Sequence, residues 1–438
     1  MMARYNVLLV ALLTGVLLAP DVLAQPSDVR VRILDGHSVE ELKLTAHQPV
    51  TIFAGDPGNA LVKIPADTEI RVTRRGDEVH ASFGDESLFA LTLGVQAADR
   101  KPVALRADGI PDRPGGRAYT GHLEISPEEL TVSTLQVVNH VPLEDYVASV
   151  VASEYGFEDL EGSKAMAVLV RTYALRNKFG EAYDHVDHVM SQVYDGATAV
   201  TPVSYEATRA TRGEVVTYAD SLIEAVYFSA SGGHTANNED VWDSDPLPYL
   251  RARPDPSGEN SPHQSWEARA SRNALLSALS SHAGTTVSGF VLGDRTSEGR
   301  VRTIDLLTGN SRQSIRADVF RRIANEHVMN GDLKSTWFTA RRSGNAYVFE
   351  GRGFGHGVGL SQYGARGLSE QGYQYTDILD YYFTDVTLAH VESLEMEIDL
   401  LETPTLADAP FDESIDVEAE DPDPEPEPEP DTRRRIGW

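Results

Sequence analysis

The sequence contains no cysteine among its 438 residues. This absence excludes disulfide bonds, thiol nucleophiles, iron–sulfur clusters and zinc sites built on thiolates. Basic residues are also few, because 38 Lys and Arg stand against 67 Asp and Glu, a formal net charge of −29. We therefore expect no nucleic acid partner, since binding to phosphates requires positive charge.

Acidic charge is concentrated at the C-terminal end of the chain. From Ala389 to Trp438 there are 17 acidic and three basic residues. Proline alternates with carboxylates over residues 421–430, a pattern that stays extended and solvated. We predict a disordered acidic tail over residues 391–438.

Long apolar runs are lacking except near the N-terminus. Arg4 precedes an uncharged run over residues 7–18, and Val22 and Ala24 supply the small residues of a cleavage site. The pattern predicts a signal peptide over residues 1–24 and an extracytoplasmic protein, periplasmic or secreted. We expect no stable membrane span after cleavage; an uncleaved anchor is the alternative.

The remaining chain predicts an α+β fold. Residues 25–116 contain short runs of alternating apolar and polar residues between turn-forming clusters, which is typical of β-strands. Residues 117–390 mix helices and antiparallel strands without the regular spacing of a parallel βαβ sheet. We expect the chemistry in this second region.

Glu154 is the first candidate for chemistry. Leu143, Val147, Val150 and Val151 form one apolar stripe of a predicted helix, and Glu154 continues that stripe. Burial and the negative end of the helix dipole would both raise the pKa of its carboxyl group. A raised pKa suits a general acid; the alternative is a glutamate that turns out to solvent.

The next predicted helix places charge beside an apolar run. Residues 165–170 are apolar on every face, with Lys164 before them and Arg171 directly after. A buried arginine needs a carboxylate or a backbone partner. Arg171 therefore either forms a structural ion pair, or orients a site carboxylate or binds an anionic part of the substrate.

A glycine-rich segment surrounds His356. Glycines alternate from Gly351 to Gly359, which indicates backbone with positive φ or a close approach to another group. Ser361 has the position of a helix N-cap. The segment matches neither a phosphate-binding loop nor a dinucleotide fingerprint; it is either a ligand-binding turn or a tight structural turn.

Two other histidine-bearing segments carry weaker signals. Ser231 and His234 follow a predicted strand, but their sequence is not that of a serine-hydrolase nucleophile elbow. His185 and His188 have a spacing that could bind a metal, although isolated pairs of this kind are usually solvated. We assign no metal site and no cofactor.

Several segments in the same order resemble the SpoIID/LytB family, which comprises stage II sporulation protein D and the amidase-enhancer proteins of bacterial cell walls. They include VPLEDYVASVVASEY at 141–155, KAMAVLVRTYA at 164–174, SGGHT at 231–235 and GRGFGHGVGLSQYGA at 351–365. The chain departs from the family where Tyr155-Gly156 replaces a common Met-Pro pair and Met166 replaces a common Gln. Neither departure affects Glu154.

The resemblance implies a lytic transglycosylase that cleaves the MurNAc–GlcNAc bond of peptidoglycan glycan strands and leaves a 1,6-anhydro end. In the family a single glutamate serves as acid and then as base, and Glu154 has its position. The alternative is a non-catalytic wall-binding enhancer of an N-acetylmuramoyl-L-alanine amidase, which would be a partner. The expected substrate-binding residues are Lys164, Arg171, Ser231, His234, His356, Ser361, Gln362 and Tyr363.

Overall fold

The computed structural model describes residues 28–55, 57–108, 110 and 116–394. The expected signal peptide over residues 1–24 lies outside these ranges. The expected acidic tail also lies outside them, apart from residues 391–394. Within the described residues, no helix is both long enough and apolar enough to cross a bilayer.

The described residues form 24 strands and eight α-helices. The strands are β1 Asp28–Ile33, β2 Glu41–Thr45, β3 Val50–Phe53, β4 Ala60–Ile64, β5 Ile70–Arg75, β6 Glu78–Phe83, β7 Glu86–Ala90, β8 Leu93–Ala97, β9 Val103–Ala107, β10 Arg117–Tyr119, β11 His122–Pro127, β12 Leu135–Pro142, β13 His185–Val186, β14 Glu214–Tyr218, β15 Ser221–Leu222, β16 Tyr227–Phe228, β17 Trp266–Ser271, β18 Gly289–Leu292, β19 Thr303–Thr308, β20 Ser311–Arg316, β21 Phe338–Ser343, β22 Ala346–Gly351, β23 Leu360–Ser361 and β24 Thr387–His390. The helices are α1 Leu143–Glu154, α2 Leu160–Arg176, α3 Pro202–Ala210, α4 Asn238–Val241, α5 Arg272–Ala283, α6 Ala317–Ala324, α7 Gln362–Glu370 and α8 Tyr375–Tyr382. The α+β prediction and the β-rich N-terminal region are confirmed.

Two large sheets dominate the first part of the chain. One has the order β13-β1-β12-β11-β8-β3-β4, and the other has the order β10-β9-β2-β5-β6-β7. Neighbouring strands are antiparallel except β1 and β13. The alternation in β1 places Val29, Val31 and Ile33 in the core, as its period of two predicts.

Both sheets cross the boundary that the sequence suggested between residues 116 and 117. Strand β1 pairs with β12, β8 pairs with β11, and β9 pairs with β10. The β-rich segment and the region after it therefore share their sheets and one hydrophobic core. Strand periodicity indicates which face is buried, but it does not indicate which strand is the neighbour.

Helices α1 and α2 pack against each other, and α1 also contacts strands β1 and β12 of the first sheet. Residues 165–170 in α2 are all 0% exposed, so the expectation of a helix buried on every face is confirmed. The side chain of Asp159 accepts the Gly162 N–H at 3.0 Å and caps the start of α2. This cap defines the start of α2, a few residues after Glu154.

A second hydrophobic core lies within residues 266–349. Strands β17, β22 and β21 form one small sheet, strands β18 to β20 form another, and helices α5 and α6 pack between them. The sequence pattern predicted no domain boundary near residue 266. Most strands of this second core pair with the next strand along the chain, but β17 pairs with the distant β22 and so closes the first of these sheets.

Candidate active site

A cavity of about 220 Å³ opens where helix α1 ends. Its walls are formed by Ser153, Glu154, Tyr155, Phe157, Tyr173, Val189, Met190, Ser191, Gln192, Ala225, Val226, Tyr227, Phe228, Ser229, Trp242, His356, Gln362 and Tyr363. Four of the nine expected site residues lie in this lining. The cavity thus joins the end of α1 to the glycine-rich segment, which lies about 200 residues further along the chain.

Glu154 is the one carboxylate among the described residues that line this cavity. The stripe of α1 that precedes it is buried, and Glu154 itself is partly buried. Burial raises the pKa of the Glu154 carboxyl group to about 7; the N–H of Val193 opposes this rise, and the negative charge of Asp195 adds to it. The carboxyl group is therefore close to half-protonated at neutral pH.

Two hydrogen bonds from distant segments hold Glu154 in place. The Val193 N–H donates to Oε1 at 2.8 Å, and the Gln362 Nε2 donates to the Glu154 backbone carbonyl at 3.1 Å. The second bond satisfies a carbonyl that the end of α1 leaves without a helical partner. Because Oε1 accepts the amide proton, the proton of the acid form belongs on Oε2.

His356 lies in the same cavity, but both of its ring nitrogens are engaged by the backbone. Nε2 donates to the Tyr227 carbonyl at 2.9 Å, and Nδ1 accepts the Val358 N–H at 3.1 Å. These partners fix a neutral tautomer. Burial, with smaller contributions from the nearby cations Arg321 and Arg300, lowers the pKa of His356 to about 3, so the ring stays uncharged at neutral pH.

The glycines around His356 have a steric reason. Gly357 has φ +91°, and a Cβ there would lie 2.7 Å from the guanidinium carbon of Arg300. Gly359 has φ +76°, and a Cβ would lie 2.2 Å from the Val226 carbonyl oxygen. The segment therefore packs its own backbone closely against neighbouring elements.

Aromatic rings form much of the remaining wall. Phe157 and Tyr363 meet edge to face at 5.0 Å, and Trp242 lies 5.1 Å from the ring of His356. Such rings offer apolar faces to a ligand, while Tyr and Trp retain a polar edge. The cavity is thus apolar in its walls and polar at a few points.

A second cavity of about 520 Å³ lies next to the first. The two share Val189, Trp242 and His356. The far wall of the second cavity is formed by α6 and the turn after it, which belong to the second core, and includes Asp318, Arg322 and other polar side chains.

Arg171 does not reach either cavity. It is 0% exposed, and its guanidinium binds Glu144 through Nε at 2.9 Å and Nη2 at 2.6 Å, while Nη1 donates to the Glu214 carbonyl at 3.0 Å. These contacts match the structural ion pair that the sequence analysis left open. They correct the substrate-binding alternative, because a fully paired and buried guanidinium has no face left for a ligand.

Lys164 also lies outside the lining of both cavities. Its ammonium binds Glu161 at 2.7 Å within the same helix and lies 5.8 Å from the ring of Tyr375. The family resemblance predicts that Lys164 binds substrate; in the structure its contacts join α2 to α8 instead.

Three further residues that were expected at the site form hydrogen bonds within the protein instead: Ser231, His234 and Ser361. Ser361 is the N-cap of α7, as predicted, and accepts the Gly364 N–H at 3.2 Å. Ser231 accepts the Gly233 N–H at 3.0 Å. The hydroxyls of Ser231 and Ser361 both form hydrogen bonds with the buried carboxyl group of Asp255. His234 binds the Thr235 carbonyl at 2.8 Å. None of the three lines either cavity.

His185 and His188, whose spacing could have bound a metal, contact different partners. His185 binds the Ser191 hydroxyl at 2.9 Å and the Ala174 carbonyl at 3.2 Å, whereas His188 binds Asp35 at 2.9 Å. In the part of the chain that the structure describes, no group of three or more His, Cys, Asp or Glu residues is arranged to hold a metal ion.

Three residues that surround Glu154 were not predicted from the sequence. Gln192, Val193 and Tyr227 come from an irregular segment and a two-residue strand, so no periodic signal marks them. Val193 acts through its backbone N–H, which any residue except proline would supply. Tyr227 lies inside a predicted strand, but the strand pattern gave no reason to assign it a function.

The Arg171–Glu144 pair gives a prediction about stability. The variant Arg171→Met leaves the Glu144 carboxylate buried without its partner, and we expect the free energy of unfolding to fall by about 3–5 kcal/mol. Adding Glu144→Leu should restore most of that loss, because both charges are then gone. Urea unfolding of the three proteins measures this; a loss below about 1 kcal/mol for Arg171→Met would contradict it.

Glu154 gives a second prediction, with an explicit pH window. Its pKa rises from 4.5 in the unfolded chain to about 7 in the fold, so its contribution to stability is complete below pH 4.5 and is lost as the pH rises through 7. We therefore expect Glu154→Gln to be more stable than wild type at pH 8 by about 1–3 kcal/mol and equal to it near pH 4.5.

The exposed Glu158 provides the matched control, because Glu158→Gln removes a carboxylate of the same type four residues away. Its unfolding curve should follow that of wild type at both pH values. An equal gain for both variants would mean that the effect is one of net charge rather than of burial.

The chain has clear relatives. The sequence model described as "SpoIID: Stage II sporulation protein" matches residues 131–218. Stage II sporulation protein D of Bacillus amyloliquefaciens is 30% identical over 320 residues, which cover 68% of this chain and 88% of that protein. Stage II sporulation protein D of Bacillus subtilis (strain 168) is 30% identical over 294 residues, which cover 62% and 82%.

The amidase enhancer of Bacillus subtilis (strain 168) is also 30% identical, over 285 residues that cover 52% of this chain and 38% of that longer protein. The matches to stage II sporulation protein D extend over most of the length of those proteins. This chain therefore belongs to the SpoIID/LytB family of stage II sporulation protein D and the amidase enhancers.

Proposed function

We propose that this protein is a peptidoglycan lytic transglycosylase that acts outside the cytoplasm, in a sporulation-type process or in cell-wall remodelling. The observation that carries the proposal is Glu154: a single carboxyl group with a pKa of about 7 in a cavity with aromatic walls. A group that is partly protonated at neutral pH can both give and take a proton.

The proposed reaction uses Glu154 twice. Its Oε2 proton moves to the glycosidic oxygen as the bond from that oxygen to C1 of the muramoyl residue breaks. The resulting carboxylate then removes the proton of the 6-hydroxyl group as O6 forms a bond to C1. The products are a 1,6-anhydro end and a free 4-hydroxyl end, Glu154 regains its proton, and no water is consumed.

The absence of a second carboxylate in the described lining favours this scheme over hydrolysis. Common glycosidases place two carboxyl groups on either side of the scissile bond. The carboxylate that most influences Glu154 is Asp195, which does not line the cavity and forms an ion pair with Arg117. Glu154 is thus the group available for both proton transfers.

The shape of the site fits a polymer. The two adjoining cavities share Val189, Trp242 and His356, and the second is lined by residues of the second core. Adjoining concave sites suit neighbouring sugars of one glycan strand.

Digestion of purified peptidoglycan in water labelled with heavy oxygen tests the reaction. We expect anhydro-muramoyl ends without the label by mass spectrometry. Glu154→Gln should reduce their formation at least about 1,000-fold, and Glu158→Gln should leave it unchanged, since a general acid that is also the base supplies most of the rate. Labelled reducing ends would indicate a hydrolase, and no products from wild type would reject an enzyme.

The rate should fall as the pH rises through 7, because the first step needs the protonated form of Glu154. Above that pH, we expect kcat to decrease about tenfold per pH unit. His356 should not affect the profile between pH 5 and 9, since its pKa is about 3. An alkaline limb centred more than about one unit from 7 would contradict the assignment to Glu154.

The amidase enhancer among the relatives supports a second candidate, a wall-binding protein that stimulates a separate N-acetylmuramoyl-L-alanine amidase. Release of stem peptides by such an amidase, measured with and without this protein, separates the two candidates. Equal stimulation by wild type and Glu154→Gln, together with no anhydro products from either, would favour the enhancer.

A further inference from the structure

Three hydrogen-bonding side chains form a connected row that ends at the cavity beside Glu154. The Tyr146 hydroxyl donates to the Gln192 amide oxygen at 3.1 Å, and the Gln192 amide nitrogen donates to the Tyr227 hydroxyl oxygen at 3.0 Å. Tyr146 and Gln192 are at most 1% exposed, and Gln192 and Tyr227 both line the cavity. The row therefore leads from the core to the site.

The direction of these bonds determines what Tyr227 can do. An amide oxygen only accepts and an amide nitrogen only donates. Since Tyr146 donates to the oxygen of Gln192, the nitrogen of Gln192 faces Tyr227, and the Tyr227 oxygen accepts. Within the described chain the proton of the Tyr227 hydroxyl has no acceptor of its own, so it remains available to a ligand in the cavity.

The backbone of Tyr227 is also fixed. Strand β16 pairs with β23, with Tyr227 opposite Leu360, and the Tyr227 carbonyl accepts the His356 Nε2–H at 2.9 Å. Burial and the nearby charge of Glu154 raise the pKa of the Tyr227 hydroxyl well above its ordinary value. The hydroxyl therefore keeps its proton at every pH at which Glu154 can act as an acid.

We propose that Tyr227 is a second catalytic residue whose hydroxyl donates a hydrogen bond to an oxygen of the sugar bound beside Glu154, and that Gln192 and Tyr146 are positioning residues that set its direction. This inference rests on the proposed transglycosylase function. A donor whose oxygen is already held by Gln192 loses little freedom when the sugar binds, so its hydrogen bond can act on the reacting geometry.

The variant Tyr227→Phe removes the hydroxyl and keeps the ring. With purified glycan strands, we expect kcat to fall about 10- to 100-fold while KM changes less than about threefold, because the bond tightens during the reaction. The products should still be anhydro ends, and the alkaline limb near pH 7 should not move, since Glu154 is unchanged. The matched control Tyr381→Phe removes an exposed hydroxyl that binds the Pro254 carbonyl outside the cavity and should keep the wild-type kcat.

Gln192→Glu tests the positioning role. A carboxyl group offers acceptors on both oxygens, so it draws the Tyr227 proton away from the cavity although the hydroxyl is still present. We expect kcat to fall as in Tyr227→Phe, and the double variant to show no further loss. Thermal unfolding of each variant checks that the loss is not one of folded protein.

The outcomes separate this inference from the proposed function. Anhydro products from wild type with a wild-type kcat for Tyr227→Phe would overturn the role of Tyr227 and leave Glu154 in place. Additive losses for Gln192→Glu and Tyr227→Phe would overturn the positioning role of Gln192. The absence of anhydro products from wild type would reject the proposed function itself.

Discussion

Removal of the Glu154 carboxyl group from water is the constraint on which the rest of the candidate site depends. The described lining of its cavity contains no lysine or arginine, and the hydrogen bond that Oε1 receives comes from an uncharged N–H. Burial therefore outweighs that bond, and the pKa rises to about 7. A cation at this position would have produced a permanent carboxylate, which could accept a proton but could not donate one.

The same loss of water acts on His356 in the opposite direction. Its imidazole stays neutral because burial and two buried arginines disfavour a further positive charge. One of these, Arg300, is 1% exposed and donates to the Ser231 carbonyl at 2.8 Å, so it links the second core to the segment that carries Ser231 and His234. At neutral pH the histidine is therefore uncharged and Glu154 only partly charged. Such a site suits an uncharged ligand better than a strongly charged one.

Periodic signals predicted the parts of the site that lie on regular elements. The apolar stripe of α1 led to Glu154, and the N-cap pattern placed Ser361 at the start of α7. The contributions of Val193 and Tyr227 could not be predicted. Val193 acts through a backbone group, and strand β16, which carries Tyr227, pairs with β23 across more than 130 residues. The second core, residues 266–349, was missed for a related reason: strand β17 pairs with β22, about 80 residues further along the chain, and no local pattern predicts that pairing.

The residues that match family motifs divide according to whether their polar atoms are already paired. Arg171 uses its guanidinium on Glu144 and on backbone carbonyls, and His356 uses both ring nitrogens on the backbone, so neither has a hydrogen bond left to offer. The amide nitrogen of Gln362 donates to the backbone carbonyl of Glu154, but within the described residues its amide oxygen has no partner. Among the described residues that line the cavity, Oε2 of Glu154, the amide oxygen of Gln362, the hydroxyl proton of Tyr227 and the hydroxyl of Ser153 have no hydrogen-bond partner. A motif match locates a residue in the fold, whereas the count of its unused hydrogen bonds decides whether it can meet a substrate.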